Sequence, residues 1–472
     1  MDSIRLPQFV LLWTDALLWA LALGLLAGAR LGWRSPAWRA KLRRVAHDPA
    51  AVSAALLLAL FALVALADSV HFRRQLPADG RAPVYATRTE SLLELLLARP
   101  LAMRESSYSR PLATFGFGKE SIERNGQTVR EHVRLLHAGR HLSDPATQWL
   151  PDLLWRGAVG LSTGLALPAG LAWLAWRRRP RPLALTPAER AAWITACALG
   201  ALIGLLVGWG AQYHVLGTDR TGNDVLVQAL QGVRTAFVIG GLATVATLPL
   251  AVGLGIVSGY CGGWVDELIQ YTYTVMSAVP NVLLIAACVL MVQVALDQHP
   301  EWAATQLERA DLKIVMLCAI LGATGWAGLC RLVRAETLKL RELDFVHAAT
   351  AFGVGPLRIM WRHILPNVLH LVLINAVLEF SALVLYEAVL SYVGVGVDPA
   401  MASFGNLINL ARSEMSRDPV VWWSISAAFV FMVALVLAAN LLADGVRVAF
   451  DPRAANWRAR LRRRVATRGA KP

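Results

Sequence analysis

The chain has 472 residues, 56% of them hydrophobic, and a formal charge of +14. The apolar residues are gathered into long runs, which excludes a soluble globular domain and marks an all-α polytopic membrane protein. The positive charge lies in short loops beside those runs, so it reads as a set of topology determinants and not as a nucleic-acid surface.

Nine apolar stretches reach the roughly 20 residues needed to cross a bilayer. They lie near 9–28, 50–67, 155–176, 191–210, 234–259, 271–296, 313–330, 368–391 and 421–443. The first has the outline of a signal peptide. Only Arg5 precedes its apolar run, however, while Arg30, Arg34, Arg39, Lys41, Arg43 and Arg44 follow it. It therefore reads as an uncleaved span with the N-terminus outside. Counting from there puts every arginine-rich connection on the inner side: 29–49, 177–190, 331–366 and the tail after Gly445. The C-terminus is then expected in the cytoplasm. The five cysteines lie in or next to apolar stretches and indicate neither a disulfide framework nor a thiolate metal site.

The segment 68–152 follows two spans (1–67) and is expected outside, as a folded insertion or as a docking surface for a partner. SLLELLLA at 91–98 is its one apolar helical patch. ATFGFGKES at 113–121 has the outline of a phosphate loop but fails as one: Ala113 stands where the first Gly belongs, and Glu120 where the Ser or Thr belongs. His132, His137 and His141 include an i, i+4 pair, yet no carboxylate or thiolate set completes a metal site. A third span and a basic loop occupy 153–189, and from 190 to 455 the apolar segments alternate with Gly- and Pro-containing connections, before a basic tail at 456–472.

Between the seventh and eighth spans lies DFVHAATAFGVGPLRIMWRHILPN, residues 344–367. The spacing predicts two short helices joined by a turn. Asp344 is placed to cap the first, and Phe345, Ala348, Ala349 and Phe352 form one apolar face. Gly353 fits the left-handed residue that ends it, and Pro356 fits the first position of the second. Leu357, Met360, Trp361 and Ile364 repeat the spacing, and Pro366 is expected to stop the helix.

This hairpin resembles the conserved loop of ABC importer permeases, written as Glu-Ala-Ala, three residues, Gly, and a later Leu-Pro. Here His347 stands for the Glu, followed by Ala348, Ala349, Gly353, Leu365 and Pro366. Further stretches are similar to peptide and nickel permeases: HVLGTDRTGNDVLVQALQGVRTA (214–236), with Asn223 where the common pattern has Arg, GYCGGWVDELIQ (259–270), LYEAVLSYVGVGVDPAMASFGNLINLAR (385–412) and VAFDPR (448–453). The resemblance covers 190–455 and implies a six-span permease core, with 344–366 coupling to a separate ATPase. It implies as partners a second, different permease subunit, two ATP-binding subunits and an extracytoplasmic solute-binding protein. It implies no cofactor and no catalytic residue in this chain, and the substrate class would be peptides or similar small solutes.

On pattern alone the hairpin could instead pack on its own spans. Glu379 and Glu387, eight residues apart in the eighth span, either line a translocation path or hydrogen-bond a neighbouring helix. Two other functions fit the composition. A secondary transporter driven by an ion gradient would need intramembrane acids, for which Glu379 and Asp15 are candidates; a membrane scaffold or sensor would use 68–152.

Overall fold

Backbone in lipid must satisfy its own hydrogen bonds, and each apolar stretch accordingly becomes a helix. The computed structural model describes residues 8–76, 84–124, 127–177, 185–303, 305–399 and 401–450. The tail 456–472 and most of the arginines of 177–190 lie outside the described residues. The helices are α1 (Trp13–Arg34), α2 (Pro36–Val45), α3 (Pro49–Asp68), α4 (Leu92–Leu96), α5 (Ala98–Ala102), α6 (Pro145–Arg177), α7 (Pro187–Gly210), α8 (Val225–Cys261), α9 (Gly263–Ala278), α10 (Asn281–Gln298), α11 (Gln306–Arg341), α12 (Asp344–Ala351), α13 (Pro356–Ile359), α14 (Leu365–Val393), α15 (Phe404–Glu414) and α16 (Trp423–Phe450). Among the described residues nine helical segments are long and apolar enough to cross a membrane: α1, α3, α6, α7, α8, α10, α11, the continuous run Pro356–Val393 and α16.

The sixth span is α10 alone, shorter than the stretch 271–296. The stretch 271–296 is broken at Val279 and Pro280 into α9 and α10, because Pro280 has no N–H to continue the ladder and instead begins the new helix. Pro249, by contrast, sits inside the unbroken α8.

The long helices α8 and α11 form the central pair. At 37 and 36 residues each is about 55 Å long, well beyond the ~30 Å of hydrocarbon. Small residues let their backbones approach: Gly255 and Gly259 of α8 face Val333 and Thr337, and Gly322 of α11 faces Ala246. α3 is no loose appendage. Its Phe61 and Ala65 are buried with Val233, Ala236, Val384, Phe404 and Leu435 from α8, α14, α15 and α16. α6 lies against α7 through glycines on both helices, where a Cβ on Gly160, Gly164, Gly200 or Gly204 would run into the facing carbonyl.

The insertion is built from short elements and takes up one strand from before α1, β1 (Gln8–Val10). Strands β1, β2 (His71–Arg73) and β5 (Glu90–Ser91) make an antiparallel sheet in the order β1-β2-β5, beside the two-stranded pair β3 (Gln75–Leu76) and β4 (Val84–Tyr85). A longer hairpin joins β6 (Phe115–Arg124) to β7 (Gln127–Arg134). The stretch that resembles a phosphate loop is therefore the start of β6. The insertion and the 344–366 hairpin sit at opposite ends of α11, here called the insertion end and the hairpin end.

Candidate functional site

The hairpin is present and tightly specified. α12 ends in a left-handed Gly353, φ 75°. The Val354 N–H reaches Ala349 O at 3.1 Å and the Gly353 N–H reaches Thr350 O at 2.9 Å, the paired bonds of a Schellman turn. Pro356 takes the first turn of α13 after Gly355. Phe345 and His363 bring the two arms together, ring centroids 6.3 Å apart. Two expectations fail locally. Asp344 is not the cap: it is the first helical residue, behind Leu343, and its side chain caps nothing, although an acid in the first turn still suits the helix dipole. Pro366 does not stop the second helix. A π-turn over Met360–Ile364 carries α13 directly into α14, with the Leu365 N–H bonded to Met360 O.

The apolar faces also divide differently. Val346, Ala349, Ile359, Met360 and Ile364 are buried against Ile256 of α8 and Val333 of α11, which anchors the hairpin on the ends of the central pair. The other half of each predicted face points away: Phe345 is 41% exposed, Phe352 87%, Leu357 79% and Trp361 76%. Ala348 is exposed among them, and Leu365 and Pro366 lie at the root of α14. His347 is also exposed, its Nε2 3.9 Å from Glu342 Oε2, a solvated pair of little energetic weight.

The two carboxylates of α14 part company. Glu387 is fully buried near the start of α15 and accepts a hydrogen bond from Ser391 Oγ, one turn on in α14, at 2.8 Å. Glu379 is half-buried, its Oε1 beside Gly325 and Thr247. Their 80° angular offset about the helix sends them to different neighbours.

Two polar clusters at the insertion end escaped the sequence reading. In the first, Arg234 of α8 donates to Asp15 Oδ1 at 2.6 Å and to Thr14 Oγ1 at 3.0 Å, while Thr14 also bonds Asp311 of α11 through its N–H at 3.1 Å and through its hydroxyl. His71 Nδ1 closes on Asp15 Oδ2 at 2.7 Å. A charge in an apolar run demands a counter-charge, and that rule pairs Arg234 with the acids near the ends of spans one and seven.

The second cluster pins the insertion to the loop 211–224, where the family-like stretch begins. His214 lies between Asp224 Oδ2, 2.7 Å from Nδ1, and Glu105 Oε1, 3.7 Å from Nε2. Asp224 also caps α8 through the N–H groups of Leu226 and Val227. Burial would lower the His214 pKa, but its pairing with Asp224 and Glu105 outweighs that and raises it to about 9. Burial would likewise raise Glu105, yet His214 and the N–H groups of Ala138, His137 and Leu136 hold it at about 2. Gly222 has φ 78° and no room for a Cβ against the Glu105 carbonyl, and Arg104 Nε donates to Thr221 O at 3.0 Å, next to Asn223. Of the three histidines noted in the insertion, His132 faces Gly116 O, His141 faces Asp152, and His137 joins this cluster through its backbone.

The family model described as binding-protein-dependent transport system inner membrane component matches residues 251–456, a stretch that includes the hairpin. The oligopeptide transport system permease protein OppC of Mycobacterium bovis is 34% identical over 239 residues, 51% of this chain and 76% of that protein. OppC of Haemophilus influenzae is 32% identical over 241 residues, 51% and 71% respectively. A solved structure of the MetNI methionine ABC transporter in inward-facing conformations aligns with 48% of this chain and 97% of that one, at 19% identity and a TM-score of 0.35. The sequence match extends over most of the length of these relatives, and the chain belongs to the binding-protein-dependent transport permeases, the membrane-spanning subunits of ABC importers, alongside the OppC proteins.

Proposed function

We propose that this chain is one of two different permease subunits of a bacterial peptide importer. Two ATP-binding subunits dock on the 344–366 hairpin from the cytoplasm, and a solute-binding protein delivers peptide at the insertion end, outside. The observation that supports this reading most is the split hairpin: half of its apolar residues anchor it on α8 and α11, and Phe352, Leu357 and Trp361 are left uncovered at its tip. An exposed apolar cluster on a rigid element suits a partner groove. Asp344, His347, Ala348, Ala349, Gly353, Pro356, Leu365 and Pro366 shape that element. The orientation follows from charge, since α2 with Arg39, Lys41, Arg43 and Arg44 lies at the hairpin end, where its Trp38 meets Phe450.

The test is Gly353→Asp. The position has open space around it, and an acid in left-handed backbone costs only about 1–2 kcal/mol, so insertion and folding persist. The new carboxylate adds an unfavourable charge to the end of α12 and projects toward the partner. Peptide uptake and co-purification of the ATP-binding subunits are expected to be lost. Normal uptake by this variant overturns the coupling role.

A further inference from the structure

The short helix α2, between the first two spans, has two unlike faces. It follows α1 after one residue, Ser35, and reaches α3 through residues 46–48. Trp38, Lys41, Leu42 and Val45 fall at i, i+3, i+4 and i+7 and are half-buried. The Trp38 ring meets Phe450 edge-on, centroids 5.4 Å apart, and Lys41 Nζ lies 4.5 Å from the centroid of the same ring. Arg39, Arg43 and Arg44 are exposed on the other face, as are Arg30 and Arg34 in the last turns of α1. None of these five guanidiniums has an ion pair or a side-chain hydrogen bond among the described residues. Asp48, the one acid of 29–49, caps α3 through the Ala50 N–H, and Asp444 of α16 is exposed and pairs with none of them.

The depth of α2 follows from helix lengths. Asp15 of α1, Arg234 of α8 and Asp311 of α11 share one level through the cluster at the insertion end. From that level α1 runs about 28 Å to Arg34, close to the thickness of the hydrocarbon, while α8 runs about 40 Å to Cys261 and α11 about 45 Å to Arg341. The headgroup layer is therefore where α2 lies, and the hairpin is carried about 12 Å or more beyond it. Leu31 and Trp33, both exposed at the end of α1, mark the same boundary with apolar surface and an interfacial indole.

We propose that the exposed face of α2 binds anionic phospholipid, with the lipid phosphates at Arg39, Arg43 and Arg44. At that depth the anions facing the helix from outside the chain are headgroups. A guanidinium meets a phosphate through paired charge-assisted hydrogen bonds, and the ammonium of a zwitterionic headgroup opposes the same contact. Scattered basic residues in a loop set topology; three on one face of a helix whose other face is seated on Phe450 present a fixed surface. A protein partner resting on the hairpin stands farther from the bilayer, so lipid is the occupant that the geometry favours. The surface lies outside residues 251–456, the stretch matched by the permease family, and it stands whether or not the hairpin couples to an ATPase.

Native mass spectrometry of the purified full-length protein, titrated with phosphatidylglycerol or with phosphatidylcholine of the same acyl chains, tests it. Phosphatidylglycerol is expected to bind about a hundredfold more tightly, at roughly fivefold for each of the three arginines near an anionic headgroup. Arg39→Gln, Arg43→Gln and Arg44→Gln together should abolish that preference, and the same three positions changed to Lys should keep most of it. Arg358→Gln with Arg362→Gln, exposed bases of the hairpin, should leave it unchanged. Equal binding of the two lipids overturns the proposal, and since this comparison uses the unmodified protein it decides the matter even where a variant fails to fold. An undiminished preference in the triple glutamine variant also overturns it, as does an equal loss in the hairpin variant, which would make the effect one of overall charge. If the triple glutamine variant keeps its lipid but no longer co-purifies ATP-binding subunits, the face belongs to a protein partner and the lipid assignment falls.

Discussion

Trp361 and Ile364 lie three residues apart on one turn, and they separate docking from folding. Trp361 is exposed in this chain, so Trp361→Ala removes almost no internal packing and is expected to leave thermal stability nearly unchanged. If its ring fills a partner groove, truncation of such an anchor costs about 2–4 kcal/mol, a 30- to 1000-fold loss of affinity for the ATP-binding subunits. Ile364 is fully buried among Ile256, Val333 and Val368. Ile364→Ala should cost about 2–5 kcal/mol of stability through the cavity it leaves. The assay has two readouts on each variant: unfolding temperature in detergent, and the amount of ATP-binding subunit retained on the immobilised permease. The expected pattern is crossed, with Trp361→Ala stable but unpartnered and Ile364→Ala destabilised. Should Trp361→Ala melt as early as Ile364→Ala while holding its partners, the outward face is a packing surface and the docking argument fails.

Three further outcomes follow from the insertion end and the helix contacts. Glu105 is held below its ordinary 4.5, so its contribution is present above that value and is lost as pH falls toward about 2; His214 is raised above 6.5, so its contribution is intact below that and is lost as pH rises through about 9. Protease sensitivity of the insertion should therefore be lowest near pH 5–6 and increase toward pH 9.5, and His214→Gln should abolish the alkaline rise; a flat profile removes this pin. Arg234→Ala leaves the buried Asp15 carboxylate with His71 as its one remaining basic partner among the described residues and is expected to cost about 3 kcal/mol, read as lost yield of folded protein, with Arg234→Lys intermediate. Gly204→Val should force α6 away from α7, lowering disulfide cross-linking between cysteines placed on the two helices; unchanged cross-linking counts against the close approach.

All nine spans were legible because bilayer thickness sets their length whatever their neighbours. The hairpin's turn was legible for a similar reason: Gly353 and Pro356 act through their own backbone. What failed depended on surroundings. Periodicity marks Phe345, Ala349 and Phe352 alike as apolar, and only the position of α8 and α11 decides that Ala349 goes inward while the two phenylalanines remain outside. Glu387 is one more carboxylate in an apolar run, and only the fold shows that it is fully buried near α15 with Ser391 as its donor. The Arg234–Asp15–Asp311 cluster joins residues hundreds of positions apart, and no local pattern announces which acid meets which base.

Pro366 shows how a correct local rule can give a wrong boundary. A proline cannot donate to the carbonyl four residues back, and its ring crowds that carbonyl, so a helix that meets one should end. The chain avoids the conflict by widening the preceding turn: with the Leu365 N–H bonded five residues back at Met360, Met360–Ile364 form a π-turn and Pro366 falls in the first turn of α14, where no donor is required. The extra residue also resets the helical phase, so that Ile359, Ile364, Val368 and Val372 fall on one buried face across the junction. A plain stop at Pro366 would have left the hairpin's second arm joined to the span by a loose peptide free to pivot. The π-turn makes them one continuous helix from Pro356 to Val393, anchored along its whole root by α8 and α11. A contact at the hairpin's tip therefore bears on the eighth span itself, which is the mechanical condition a coupling element has to meet.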